Sequence, residues 1–271
     1  MIGKDLTVVI PNYNKAKFIE QCVMSIEEQS VKPAEIIIVD DFSTDTSKRL
    51  IDSLSKRYMN VHPYYAGKNM GVSAARNKGL SLVSTDYVTF IDADDYYFNK
   101  DKLKNEIRLI NEHGEDTIAY SVTAVLKGNG GFTDTRIKRN KYYLNGNVRF
   151  SLLTMRKWDS VMRDYIVRTD TLRSVGGYDE SHSLFEDYEL LLKLSKKVKF
   201  YCTGQYGTGY REGNGISKRS RRDHDRIREE MIRRELEKDN IFFRLGVVSE
   251  GTIQKIKRKT KDLLRKILKK G

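Results

Sequence analysis

The chain has little of what disulfide or thiolate chemistry needs. Only two cysteines occur in 271 residues, Cys22 and Cys202. Both fall in apolar periodic segments and read as small buried hydrophobes of a reduced compartment. Neither has the spacing of a metal site. The four histidines, His62, His113, His182 and His224, show no ligand spacing. A membrane span needs roughly 20 consecutive apolar residues, and no run approaches that length. The first strand begins almost at the N-terminus, so no signal peptide is expected. Repeats and low-complexity linkers are also missing. What is present is a 39% apolar composition, enough for a sizeable core in one large α/β domain or one domain with an appendage.

Charge is unevenly placed. Residues 218–271 hold 19 Lys/Arg against 9 Asp/Glu, an excess of 10 within a formal net charge of +13. The body is therefore nearly balanced, and the basic signal belongs to the tail.

The first hundred residues alternate strand and helix signals. Leu6–Ile10 is a short β-rich run that Pro11 closes. Phe18, Ile19, Cys22, Val23 and Ile26 recur at helical spacing. Glu35–Val39 is apolar on both faces, as a central parallel strand should be. Leu50, Ile51, Leu54 and Tyr58 mark a second helix, Val61–Tyr65 a third strand, Ser73–Leu82 a third helix and Tyr87–Ile91 a fourth strand. This order predicts an α/β fold with a doubly wound, mostly parallel central sheet. Later come a helix over Leu103–Ile110, a strand over Thr117–Val125 and a strand over 163–167. Thr169-Asp170 caps a short helix, and Phe185–Glu189 opens a longer one. Lys199–Thr203 and Tyr206–Arg211 read as two late strands.

Ligands of such sheets bind beyond the carboxyl ends of the strands. Three of those ends carry polar clusters: Asn12-Tyr13-Asn14, Asp40-Asp41 and Asp92-Ala93-Asp94-Asp95. The last is the most telling. Acids at the end of a buried strand repel one another and resist desolvation. A divalent cation relieves both, and oxygen-only donors suit Mg²⁺ or Mn²⁺. The alternative for the same residues is a solvated acidic turn, with Asp95 capping the next helix.

Five segments in order then resemble a known family: VVIPNYNKAKFIEQCVMSI (8–26), EIIIVDDFSTDTS (35–47), KNMGVSAARNKGL (68–80), FIDADD (90–95) and GGYDESHSLFEDYELLLKL (176–194). Each is weak alone. Together they resemble a family 2 inverting glycosyltransferase of the GT-A fold. The resemblance covers roughly residues 5–217, which makes 1–217 a GT-A domain and leaves 218–271 as a basic helical C-terminal extension.

That resemblance implies a nucleotide-sugar donor, a UDP-sugar by preference, and a divalent metal. It places Pro11, Tyr13 and Asp40 at the nucleobase. Asn69, with Gly71 at a helix entry, and Arg76, a fixed positive fork, are assigned to the diphosphate or base pocket, the alternative for Arg76 being a surface arginine paired with an acid. Asp92 and Asp94 become the metal and ribose acids. Asp187 becomes the catalytic base, with Glu186 as runner-up, and the field of its helix keeps Asp187 ionised. Many members carry a late His where this chain has Tyr210-Arg211-Glu212-Gly213. Arg211, Ser217 or Lys218 are the candidates to replace it. Trp158 and Tyr142-Tyr143 stand open between stacking on acceptor sugars and packing, and His182 lies near the expected base.

The expected activity is transfer of a hexose, with inversion, to a hydroxyl of a cell-surface glycan of capsule, lipopolysaccharide or teichoic acid type. The alternatives are a lipid-phosphate acceptor or a non-catalytic binder of sugar nucleotides or nucleic acid. Ile253, Ile256, Leu263, Leu264, Ile267 and Leu268 share one face of a basic last helix. Such a helix suits an anionic membrane interface, the body of the protein, or a second chain. It lacks the aromatic interleaving of a nucleic-acid site. The location expected is the cytoplasm, peripheral on the inner face of the membrane.

Overall fold

A computed structural model describes residues 5–126, 135–136, 143–154, 161, 164–181, 184–211, 221–237, 239–240 and 242–250. The chain opens with β1 (Leu6–Asn12), α1 (Ala16–Glu27), β2 (Glu35–Asp40), α2 (Ser47–Arg57), β3 (Val61–Tyr65), α3 (Val72–Leu82) and β4 (Tyr87–Phe90). These strands lie parallel, with β1 between β2 and β4, and β3 outside β2. Such strands face helices on both sides, so alternate residues must both be apolar. Val8, Ile10, Ile36 and Ile38 join the core under α1 and α2. Val9, Ile37 and Val39 point the other way, to the core that includes Ala75 and Leu80 of α3. Helix α3 approaches β1 so closely that a Cβ on Gly79 would lie 2.3 Å from Val9 Cγ1. Glycine is required there by space.

Beyond β4 follow β5 (Tyr96–Tyr97), α4 (Lys102–His113), β6 (Thr117–Leu126), β7 (Thr135–Arg136), α5 (Arg149–Leu153), β8 (Val167–Arg168), α6 (Thr169–Ser174), α7 (Glu186–Leu194), β9 (Lys199–Arg211) and α8 (Arg221–Leu236). Strand β8 adds antiparallel to β4. A second sheet runs in the order β5-β9-β6-β7, and an isolated bridge from Ala119 to Ile166 ties it to the segment entering β8. Residues 242–250 are helical. Met231, Ile232 and Leu236 of α8, together with Val247, close the α3–α7 core. No helix among the described residues is long and apolar enough to cross a membrane.

Several boundaries differ from the sequence reading. Strand β1 runs through Pro11 to Asn12, paired with β2 from Thr7 to that end, while its ladder to β4 ends at Val9. Pro11 thus lacks its N–H where β4 offers no further register partner. The two expected late strands are one, β9, bent by register shifts opposite Tyr120–Thr123. The strand expected over 163–167 is the short β8. Thr169 and Asp170 form the first turn of α6, whose N-cap is Arg168. Asp95 does not cap the next helix, because β5 intervenes and Asp101 holds the N-cap of α4. Helix α5 was not anticipated. Trp158, Tyr142, His182, Ser217, Lys218 and the whole of 252–271 lie outside the described residues.

Candidate active site

The loops after β1 and β2 are stitched into one rim. Asn12 Nδ2 donates to Asp40 Oδ1 at 2.7 Å, and Ser43 donates to both Asp40 oxygens, from Oγ at 2.6 Å and from N at 3.1 Å. Asn14 N donates to Ser43 Oγ at 2.9 Å, and Asn14 Oδ1 accepts from Thr44 N at 2.8 Å. The turns are tight enough to force Asn14 and Phe42 to positive φ, 53° and 65°. Asp40 is buried, with one lone pair left on Oδ2 after these bonds. Pro11 is buried in β1, and Tyr13 stands half exposed at the edge.

Asp41 grips the entry to α3. Its oxygens accept from Met70 N at 2.7 Å and Gly71 N at 2.8 Å, while Asn69 Nδ2 donates to its carbonyl at 3.1 Å. Gly71 sits at φ 87°, ψ 162°. That backbone region is nearly closed to other residues.

The acidic loop after β4 brings oxygens of Asp92, Asp94 and Asp95 within 4.8 Å of one another. Arg76 Nη2 donates to Asp92 Oδ1 at 2.8 Å, and Lys15 Nζ lies 2.5 Å from Asp94 Oδ2. Arg211 N donates to Asp95 Oδ1 at 3.0 Å. The guanidinium of Arg211 bonds the Asp94 carbonyl and Gln21 Oε1, and it lies against the rings of Phe18 and Tyr96. Below the loop, the Cys22 thiol donates to the Asp92 carbonyl at 3.7 Å. Burial first, and then the negative charge of Asp95, Asp94 and Asp92, push this thiol well up, so it stays protonated. The donors in reach are therefore carboxylate oxygens, and they fit Mg²⁺ or Mn²⁺.

Helix α7 starts at the same rim. Its N-cap, Phe185, adopts a left-handed conformation (φ 64°), and its first turn carries Glu186, Asp187 and Glu189. The helix field favours acids at this end. Arg76 Nη1 donates to Glu186 Oε1 at 3.0 Å and to Asp187 Oδ1 at 3.2 Å. The same guanidinium lies 5.2 Å from the Tyr178 ring centroid and is 2% exposed. Burial, followed by the adjoining Asp187 charge, raises the Glu186 carboxyl, and Arg76 opposes the rise.

One arginine thus joins the acidic loop to the first turn of α7. The sequence brought Asp92, Asp94, Arg76, Glu186 and Asp187 forward as separate candidates, and the fold brings them together. It places Pro11, Tyr13, Asp40 and Asn69 on the neighbouring rim. Sequence reasoning did not single out Lys15, Gln21, Phe18, Tyr96 or the grip of Asp41. These act through pairings that carry no local spacing signal.

Comparison with known proteins decides the family. The description "Glycosyl transferase family 2" matches residues 7–167. The chain belongs to that family. An uncharacterized glycosyltransferase of Haemophilus influenzae is 29% identical over 197 residues, covering 72% of this chain and 73% of that protein. The teichoic acid poly(glycerol phosphate) polymerase of Staphylococcus epidermidis is 28% identical over 201 residues, 71% of this chain but 26% of the polymerase. The chain thus spans only about a quarter of that larger family member. Among solved structures, Staphylococcus aureus TarS 1-349 superposes with a TM-score of 0.71 at 18% identity, over 92% of this chain and 70% of that one. The likeness establishes the GT-A fold of this family. TarS 1-349 has also been solved in complex with UDP-GlcNAc.

Proposed function

We propose that the chain transfers a hexose from a UDP-sugar to a hydroxyl of a cell-surface glycan, with inversion at the anomeric carbon. The observation that supports this most is the Arg76 bridge, which holds an acid of the candidate cation site and the candidate base on one guanidinium. The catalytic unit is residues 1–217, and 218–271 is its basic extension.

In this reading Pro11, Tyr13 and Asp40 hold the uracil. Tyr13 covers one face of the ring, and Asp40 accepts from the imide N–H with the lone pair left on Oδ2. Asn69 and Asp41 fix the turn that admits the diphosphate at the start of α3. Asp92 and Asp94 hold Mg²⁺ or Mn²⁺, with Asp95 beside them. A divalent cation bound there supplies positive charge to the diphosphate leaving group. Arg76 and Arg211 serve the donor through the acids and the loop they fix. Asp187 takes the proton of the acceptor hydroxyl. The hydroxyl oxygen bonds to the anomeric carbon as the bond to the phosphate oxygen breaks, and UDP leaves. Glu186 shares the Arg76 clamp and helps orient Asp187.

The Staphylococcus polymerase and the UDP-GlcNAc complex of TarS support the polymer class and the donor class. Asp187→Asn keeps the shape of the base and removes its basicity. Release of UDP from a UDP-sugar panel with Mn²⁺ should fall about 10²–10⁴-fold, the usual contribution of a general base. Undiminished turnover would remove Asp187 from this role.

A lipid-linked acceptor is the second reading. Phe242, Leu245 and Val248 project exposed from the helix at 242–250, 83%, 59% and 58% accessible, immediately before the basic segment 252–271. That face and segment suit the anionic inner surface of a membrane, with the enzyme peripheral and cytoplasmic. Flotation on phosphatidylglycerol liposomes should weaken when 252–271 is deleted. Equal flotation of both forms removes the membrane from this reading.

A further inference from the structure

Lys15 ends the β1–α1 loop and forms the N-cap of α1. Its ammonium stands 2.5 Å from Asp94 Oδ2, and the two side chains are only 27% and 17% exposed. The hydrogen bond is charge-assisted. It joins residues 79 positions apart. Among the described residues, Lys15 is the charged side chain that bonds this carboxylate.

That placement bears on the cation. A Mg²⁺ or Mn²⁺ ion sits about 2.0–2.2 Å from each ligand oxygen. An ammonium and a divalent cation on one carboxylate oxygen would stand side by side with like charge and no water between them. Even with the cation on the second oxygen, the two like charges would stand a few ångströms apart across one carboxylate, and each weakens the hold of the other. Lys15 also belongs to the loop that carries Tyr13 and Asn14, which are stitched to the Asp40 loop. Whatever moves Lys15 therefore acts on the nucleobase rim.

We infer that Lys15 is the resident counter-charge of the acidic loop and that the divalent cation displaces it from Asp94. Lys15 holds Asp94 in place through this ion pair. With Mg²⁺ or Mn²⁺ held by Asp92 and Asp94, Lys15 would leave Asp94, and the tie it makes between the β1–α1 loop and the acidic loop would open. The inference rests on the cation reading given above.

The test needs no turnover. The full chain is stripped with EDTA and titrated with Mn²⁺ by calorimetry, without donor. Lys15→Met should bind Mn²⁺ about three- to ten-fold more tightly than wild type, because the competing ion pair is gone. Lys17→Met removes the same charge two residues on, at a side chain that lies over the Phe18 ring. It should leave Mn²⁺ affinity within about 1.5-fold, since an exposed charge placed over a ring rather than on the acids is largely screened. Lys15→Met should also melt lower than wild type without metal, and the difference should close at saturating Mn²⁺. Equal Mn²⁺ affinity of Lys15→Met and wild type, or an equal gain in Lys17→Met, overturns the displacement. A melting difference that persists at saturation makes Lys15 a structural residue and overturns it too. Absence of Mn²⁺ binding by wild type and variant alike overturns the cation reading and the inference with it.

Discussion

Arg76 and Lys102 are both almost wholly buried cations held among carboxylates, yet their surroundings differ. Lys102 donates to Glu106 at 2.8 Å and to the Asp164 carbonyl at 2.7 Å, with an Asp164 oxygen 3.8 Å away. Ser121 donates to Glu106 at 2.7 Å, and Thr208 donates to Asp164. Glu106 is fully enclosed. Arg76 meets Asp92, Glu186 and Asp187, whose side chains are 23%, 13% and 22% exposed. Burial raises the carboxyl of Glu106 and that of Glu186 alike. Only the Arg76 cluster opens toward solvent at the carboxyl rim of the parallel strands. Ion clusters in proteins are often structural, and a buried charge is weak evidence of function by itself. What separates these two is access. The Lys102 cluster fastens α4 to β6, β9 and the segment entering β8, while the Arg76 cluster offers carboxylates to a ligand. A cavity lies between them, bounded by Asp92 and Asp95 on one side and Asp164 and Thr208 on the other.

The largest expected effect falls on the open cluster. Arg76→Gln leaves Glu186, Asp187 and Asp92 without their shared fork. A displacement of about 1 Å at reacting groups can cost about 10²-fold, so turnover of a UDP-sugar should drop by about that factor or more. Arg76→Lys should recover little, because one ammonium cannot span both directions. Turnover within about three-fold of wild type in the Gln variant would erase the distinction between the two clusters.

Lys102→Met should spare chemistry and damage the fold. Removing one partner of a buried ion pair costs about 3–5 kcal/mol, a large share of the stability of a single domain. The urea midpoint should fall accordingly, while turnover per folded molecule stays near wild type. Loss of turnover in protein shown to be folded would mean that the cavity transmits the change from Asp164 to Asp92, and the two clusters would count as one.

How much of this could be read from the chain alone depends on the range of the interactions. Strands β1, β2 and β4 are visible because each is a short apolar run, and burial on both faces leaves that trace, while β3, with His62 and Pro63 exposed, leaves a weaker one. The acidic loop and the Glu186-Asp187 pair were visible as local patterns. Strand β9 was read as two because Gly204-Gln205 interrupts the apolar pattern. The backbone passes the break with Gly204 at φ 71° and a shifted register. Helix α5 has only five residues, too few for a helical period to register. The pairings that make the site were invisible. Arg76 reaches Glu186 across 110 positions and Lys15 reaches Asp94 across 79. Nothing in residue spacing encodes such contacts, so an acid partner for Arg76 is foreseeable only in kind, and which acids it bridges, like the partner of Lys15, is legible only in the fold.

The smallest effect sharpens the comparison through pH. Burial first of all pushes the Glu106 carboxyl from 4.5 up to about 7, with Asp164 adding to the rise and Lys102 opposing it. The folded protein therefore holds a proton on Glu106 that the unfolded chain releases near pH 4.5. Between these values the folded state binds more protons, so its stability falls as pH rises. The contribution is complete below about pH 4.5 and is gone above about pH 7, with a ceiling of about 3 kcal/mol. Glu106→Gln keeps an acceptor for Lys102 and Ser121 and removes the titration. Lys102 then faces Asp164 as its one remaining carboxylate in the cluster. Urea midpoints of the Gln variant should vary less between pH 5 and 7 than those of wild type, and at pH 7 the variant should match or exceed it. An unchanged pH slope would assign the proton elsewhere in the molecule, with Glu186 at the open cluster the next group to test.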